Sequence, residues 1–241
     1  MKNIFKIHPL TYLIAIIMIL TGHFKLYICF TLILFIHEMG HITFSIIFKW
    51  NIKRIVILPF GMLLKFEDNL NKPLKEEFII SIMGIVFQTI FIIFIHNEYL
   101  LLASNSILLF NLLPIYPLDG AKILNILLNK ITSFKNSYFL TLLISYISII
   151  FLLSFFIINK IFFLVLALIP LIFNLFRLVE NRNYIFNKFL LERYLFNFNF
   201  KKKIVIKTVK NMKRDYYHFI KKDNKLIGEK LYLYNYFNSC K

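Results

Sequence analysis

The sequence predicts an all-α polytopic membrane protein with six transmembrane helices, a small membrane-associated β-hairpin and a short cytosolic α+β tail. Three observations predict it. First, 59% of the 241 residues are hydrophobic and 17% are charged, where a soluble globular domain carries roughly 45–50% and about 25%. With a mean hydropathy of +0.70, this is more apolar surface than one water-soluble core of this size buries. Second, the apolar residues fall into separable runs. Third, Lys and Arg lie almost wholly on one side of those runs. The net charge is +17, from 29 Lys and Arg against 12 Asp and Glu. Hydrophobicity this high excludes disorder. Two cysteines far apart, Cys29 and Cys240, exclude a disulfide framework or a cysteine metal cluster.

Taken in order, residues 10–20 form the first run, ended by Thr21-Gly22, and residues 26–48 the second, interrupted by His37-Glu38 and His41. Residues 78–95 form the third. A fourth begins at residues 99–113 and continues through an irregular segment to Leu128. Residues 138–158 and 161–176 are the fifth and sixth. A crossing takes about 20 apolar residues, with a range of about 17–25, so the second, third and fifth fit and the first and sixth are short. No small-residue cleavage site follows Leu20, so the first run is expected to be a span rather than a cleaved signal.

Lys2 and Lys6 precede the first run. Lys49, Lys53, Arg54, Lys65, Lys72 and Lys75 lie between the second and third, and Lys122, Lys130 and Lys135 follow the fourth. Every cation from Arg177 onward follows the last. Only Lys25 and Lys160 fall on the other side. The positive-inside rule then puts both termini in the cytosol. The charge thus orients the chain in a bilayer and calls for no nucleic acid.

Residues 52–66 are β-branched and split by Pro59-Phe60-Gly61, which reads as two short strands and a turn. Residues 1–178 are expected to be the membrane core. Residues 179–241 form a cytosolic tail of different composition, holding about half of the cations. In the tail, residues 204–209 read as a strand and residues 216–220 as a second. The tail's positive charge suits anionic lipid or a substrate.

Ionisable side chains at bilayer depth are costly and mark function. Deep in the runs lie four: His37, Glu38, His41 and Asp119. The first three spell H-E-M-G-H. On a helix, positions i and i+4 share a face, so the two imidazoles suit one zinc ion, with Glu38 beside them as general base toward water. The bland alternative is a His–Glu polar cluster without metal, which predicts neither the spacing nor the fourth charge. Asp119 follows Asn111-Leu-Leu-Pro114-Ile-Tyr-Pro117-Leu, where two prolines break the helix. Broken backbone at membrane depth is tolerated where it lines a cavity or is buried in protein. Counted from the cytosolic ends of their runs, His41 and Asp119 lie at similar depth. Two imidazoles and one carboxylate leave a position open, as in a catalytic zinc site.

These two motifs together resemble the site-2 protease family of intramembrane zinc metalloproteases. The resemblance implies peptide-bond hydrolysis in or at the edge of the bilayer. It implies His37, His41 and Asp119 as ligands of one Zn²⁺ per chain, Glu38 as catalytic base, and Asn111 and Pro117 near the substrate path. It also implies a membrane-dipping hairpin at residues 52–66, whose edge can take up an unwound substrate. Gly84-Ile-Val-Phe-Gln88 departs from the family's G-P-x-x-N, so it is assigned no catalytic role and Gly84 is expected to permit close helix packing. The short N-terminus, Leu58-Pro59-Phe60-Gly61 and Phe189-Leu-Leu-Glu-Arg-Tyr194 resemble the family's six-span sporulation group. That resemblance implies cleavage of the pro-sequence of the sporulation sigma factor K, inhibitory membrane partner proteins and a CBS-type tail, here truncated. The rival from another class is a zinc-binding transporter or a non-catalytic scaffold. A transporter needs a polar path across both leaflets, and Ser81, Gln88, Ser145, Ser148 and Ser154 offer little of one. His8, His23, His96 and His218 are expected to be interfacial or solvated, and both cysteines inert.

Overall fold

A computed structural model describes residues 5–7, 9–58, 61–66, 70–95, 97–160, 162–200, 202–222 and 225–238. The expected Pro59-Phe60 turn, His8, His96 and Cys240 lie outside them. The chain forms two compact units, one of residues 1–69 and 78–113, the other of residues 70–77 and 114–241.

The first unit starts with β1 (Phe5–Ile7) and α1 (Pro9–Leu20). Gly22, at φ +76°, makes the turn into α2 (Phe24–Ile47), a conformation that glycine adopts without a Cβ clash. Strands β2 (Ile52–Leu58) and β3 (Gly61–Phe66) follow and pair antiparallel, as expected. Unexpectedly, β1 pairs parallel with β2, Phe5 opposite Ile55 and Ile7 opposite Ile57. Three residues are too few to show a period, so this strand was not legible in the sequence. Next come α3 (Leu74–Phe94) and α4 (Glu98–Leu112). Helix α3 carries Glu76 and Glu77 in its first turn, where carboxylates complement the dipole. Asn97 caps α4, accepting from the N–H groups of Tyr99 (3.0 Å) and Leu100 (3.3 Å). Helix α2 packs on α4 through a core of Ile33, Leu34, Leu100, Ala103 and Ile107.

The second unit holds α5 (Asp119–Ile131), α6 (Phe134–Ile158), α7 (Phe162–Glu180), α8 (Arg182–Leu195), β4 (Lys202–Ile206), β5 (Tyr216–Lys222), β6 (Lys225–Gly228) and α9 (Glu229–Asn238). The break expected after Leu113 is present, with a cis Tyr116–Pro117 bond. Ser145 of α6 serves the broken backbone: its hydroxyl donates to the Pro114 carbonyl (2.9 Å) and accepts from the Tyr116 N–H (3.3 Å). Such repair is what allows non-helical chain at membrane depth. In the tail, β4 pairs parallel with β5, and β5 antiparallel with β6. The two expected strands are thus joined by a third. Their core is Phe134, Phe189, Leu190, Ile206, Val209, Met212, Ile220 and Leu233. Phe134, from the first turn of α6, stacks on Phe189 at 4.1 Å between ring centroids.

Among the described residues three helices are long and apolar enough to cross a membrane: α2, α3 and α6. Helix α6, with 25 residues, is about 38 Å long against a hydrocarbon core of about 30 Å. Large apolar side chains on these helices stay exposed, such as Phe94, Ile150 and Phe151, as a lipid-facing surface requires.

Candidate metal centre

The centre is built on α2. Apolar residues surround H-E-M-G-H, so the helix continues through it without a cap or break. His37, Glu38 and His41 are all buried. The i, i+4 spacing stacks the two imidazoles edge to face, ring centroids 4.8 Å apart, and brings their Nε2 atoms to 3.1 Å.

The other ring nitrogens are committed elsewhere. Nδ1 of His41 donates to the Ile80 carbonyl of α3 (2.7 Å). Nδ1 of His37 lies 3.0 Å from Oε1 of Gln88, also on α3. The Gln88 amide nitrogen donates to the carbonyl (2.7 Å) and hydroxyl (2.8 Å) of Ser104 on α4. This fixes the amide, so its oxygen accepts and His37 Nδ1 donates. With each Nδ1 committed to an acceptor on α3, Nε2 is the nitrogen of each ring that can offer a lone pair to a ligand. Two imidazole lone pairs directed at one point fit a shared metal ion, and the donor set suits zinc.

Helix α3 also leaves the space. A methyl group on Gly84 would stand 2.8 Å from His37 Nε2 and closer still to that of His41. Gly40 of α2 meets the backbone of Met83, so the close helix approach expected at Gly84 involves both glycines. The immediate neighbours of Gly84, however, are the imidazoles. Sequence reasoning missed Gln88 and Ser104. The available signal was a glutamine inside an apolar run, four residues after a glycine on the same helix face.

The remaining predicted residues are placed as follows. Asn111 is buried in the last turn of α4. Pro117, half-buried, carries the cis bond. Asp119 is the first residue of α5, buried, and accepts from Lys122 Nζ at 2.8 Å; it belongs to the second unit. His23 is exposed. His218 departs from expectation, being fully buried. It accepts from the Lys213 N–H at Nε2 (3.0 Å), and its Nδ1 faces Glu229 (3.0 Å).

That second cluster centres on Arg193 of α8. Its guanidinium donates to Asn71 (2.7 Å), Glu229 (2.8 Å) and the carbonyls of Tyr216 (3.0 Å) and Lys213 (3.1 Å). It also lies over the rings of Phe189 and Phe200. Burial holds the His218 imidazole below its ordinary pKa. Burial raises the Glu229 carboxyl, but the His218 hydrogen bond and the Arg193 charge outweigh it and hold the group below its usual range.

Comparison with known proteins matches residues 25–103 to Peptidase family M50. Stage IV sporulation protein FB of Bacillus subtilis (strain 168) is 38% identical over 204 residues, which cover 78% of this chain and 70% of that protein. The solved site-2 protease from Methanocaldococcus jannaschii shares the fold at a TM-score of 0.54, with 20% identity over 81% of this chain and 93% of its own.

Proposed function

The chain belongs to peptidase family M50 as an integral-membrane zinc metallopeptidase, and on that premise we propose that it cleaves a membrane-associated protein precursor. The similarity to stage IV sporulation protein FB favours the pro-sequence of the sporulation sigma factor K as substrate and inhibitory membrane proteins as regulators. The observation that carries the site assignment is the pair of Nε2 atoms 3.1 Å apart, with each Nδ1 engaged.

In this reading His37 and His41 bind one zinc ion through Nε2, and Asp119 adds a carboxylate oxygen. All three are buried groups of ligating type. Bound zinc would supply Lewis acidity to the scissile carbonyl and the attacking water. Glu38 takes the proton from that water and returns it to the departing amine. Gln88 and the Ile80 carbonyl orient the two imidazoles through Nδ1, the outer-sphere role that metal-bound histidines need. Asn111 and Pro117 flank the helix break along which an unwound substrate would lie. The outer edge of β3 offers its backbone hydrogen bonds to the same segment.

The topology follows the charge distribution: six crossings with both termini in the cytosol, residues 1–178 as the protease core, and residues 179–241 as a truncated CBS-like appendage. The test is co-expression with a sigma-factor precursor that keeps its pro-sequence. Glu38→Gln should hold zinc at one ion per chain yet leave the precursor uncut. Processing by that variant would overturn the role given to Glu38.

A further inference from the structure

Two adjoining cavities open along α6 in the second unit, and none of the residues assigned to catalysis lines them. One, of about 250 Å³, lies at the first turns of α6 and is lined by Lys135, Asn136, Tyr138, Arg182 and Asn183 among others. The other, of about 480 Å³, runs between α6 and α7 past Tyr146, Ile149, Ile150, Leu153, Ile172 and Phe176. They share Phe139, Leu142 and Arg182. Together they make one trough with a basic, amide-lined mouth and an apolar body.

The dimensions suit a lipid. From Phe139 to Leu153, α6 rises about 21 Å at about 1.5 Å per residue, more than the roughly 15 Å of hydrocarbon in one leaflet. The tyrosine hydroxyl of Tyr146 is the one side-chain polar group on the body between Leu142 and Val179, so the trough offers a peptide backbone little to bind. At the mouth Lys135 Nζ sits over the Phe186 ring, 5.5 Å from its centroid. Among the described residues no carboxylate is within salt-bridge distance of Lys135 or Arg182. Two cations without an acid complement one anionic phosphodiester.

We propose that this trough is a binding site for an anionic glycerophospholipid. The phosphodiester lies between Lys135 and Arg182, the Asn136 and Asn183 amides meet headgroup or ester oxygens, and one acyl chain fills the body between α6 and α7. Basic pockets beside membrane helices select anionic headgroups in this way. Two such cations correspond to a preference of about 30-fold over a zwitterionic lipid of the same chains.

Native mass spectrometry of the full chain, released from bilayers of mixed phosphatidylglycerol and phosphatidylcholine, tests it. One phosphatidylglycerol per chain should be retained, in the roughly 30-fold preference just given. Lys135→Gln with Arg182→Gln should abolish the preference, while Lys135→Arg with Arg182→Lys should keep it and show that the fold survives. Ile150→Trp, which plugs the body but leaves both cations, should cut retention of both lipids. Equal retention of the two lipids by the unaltered chain, or a preference that survives the glutamine pair, would overturn the headgroup assignment. Retention unaffected by Ile150→Trp would reduce the site to surface adsorption at the mouth. One-for-one displacement by an apolar transmembrane peptide would reassign the trough to a protein segment.

Discussion

The imidazole pair on α2 and the arginine cluster around α8 are both buried, polar and hydrogen-bonded, yet they direct their bonding capacity differently. Around Arg193 the donors and acceptors close on one another: guanidinium to Glu229, Glu229 to His218, His218 to a backbone N–H. Both ring nitrogens of His218 are engaged by protein, which leaves that ring nothing to offer a ligand. On α2, one nitrogen of each ring is held by protein, and the other nitrogens converge. Burial of a histidine is therefore weak evidence of function. The direction of its remaining lone pair is the stronger evidence.

Substitutions that separate a ligand-directed cluster from a self-contained one can break this contrast. The largest effect is expected from His41→Ala, which should reduce bound zinc to background by elemental analysis and abolish cleavage, with the tail still folded. Arg193→Ala should do the reverse, costing about 3–5 kcal/mol by stranding the buried Glu229 carboxylate. That loss is read as faster hydrogen exchange across β4–β6, with zinc content unchanged. If Arg193→Ala emptied the metal site, the two clusters would not be separate. Gln88→Ala should weaken zinc binding by about 10–100-fold in a chelator competition and leave tail exchange untouched.

The smallest effect is a pH dependence confined to the tail. His218 and Glu229 both have depressed native pKa values, so the unfolded tail binds more protons than the folded one. Their contribution is complete above about pH 6.5, the ordinary histidine value. It falls first as His218 must take up a proton, and again as the pH drops through the native value of Glu229. Exchange protection of β5 that did not change between neutral pH and pH 5 would contradict this. In His218→Gln the first of the two losses should be missing.

Much of the site could be read in the sequence because its logic is local. Five consecutive residues define the α2 motif, and ten define the break from Asn111 to Gly120, both readable from helical periodicity and proline chemistry. What could not be read depends on which chain segment comes back to which. Gln88 reaches His37 across 51 positions, and its role rests on α3 crossing α2 at Gly84. The pairing of β1 with β2 joins segments some 50 residues apart. The expectation that His218 is interfacial or solvated rests on its place in the charged tail, outside the apolar runs. His218 is buried because α8 and α9 bring Arg193 and Glu229 onto it and β4 pairs alongside it. Phe134 of α6 joins the core around Phe189 and Leu190 in the same way, from a distant part of the chain.

The anchoring of Asn71 has a consequence of parity. Its side chain donates to the Phe189 carbonyl (2.9 Å) and accepts from Arg193. Nearby, Arg214 donates to Glu77 (2.6 Å) and the Lys72 carbonyl (2.8 Å). Residues 71–77 and 189–214 therefore lie together, so any bilayer crossings by the chain between them come in an even number. Phe134, at the start of α6, stacks on Phe189 and so belongs with them, which applies the parity twice: if α3 crosses once the broken α4–α5 segment must cross back, and if α6 crosses once so must α7. The sidedness of one accessible position in the α6–α7 turn, such as Asn159, relative to the tail therefore decides whether α6 and α7 cross as a pair.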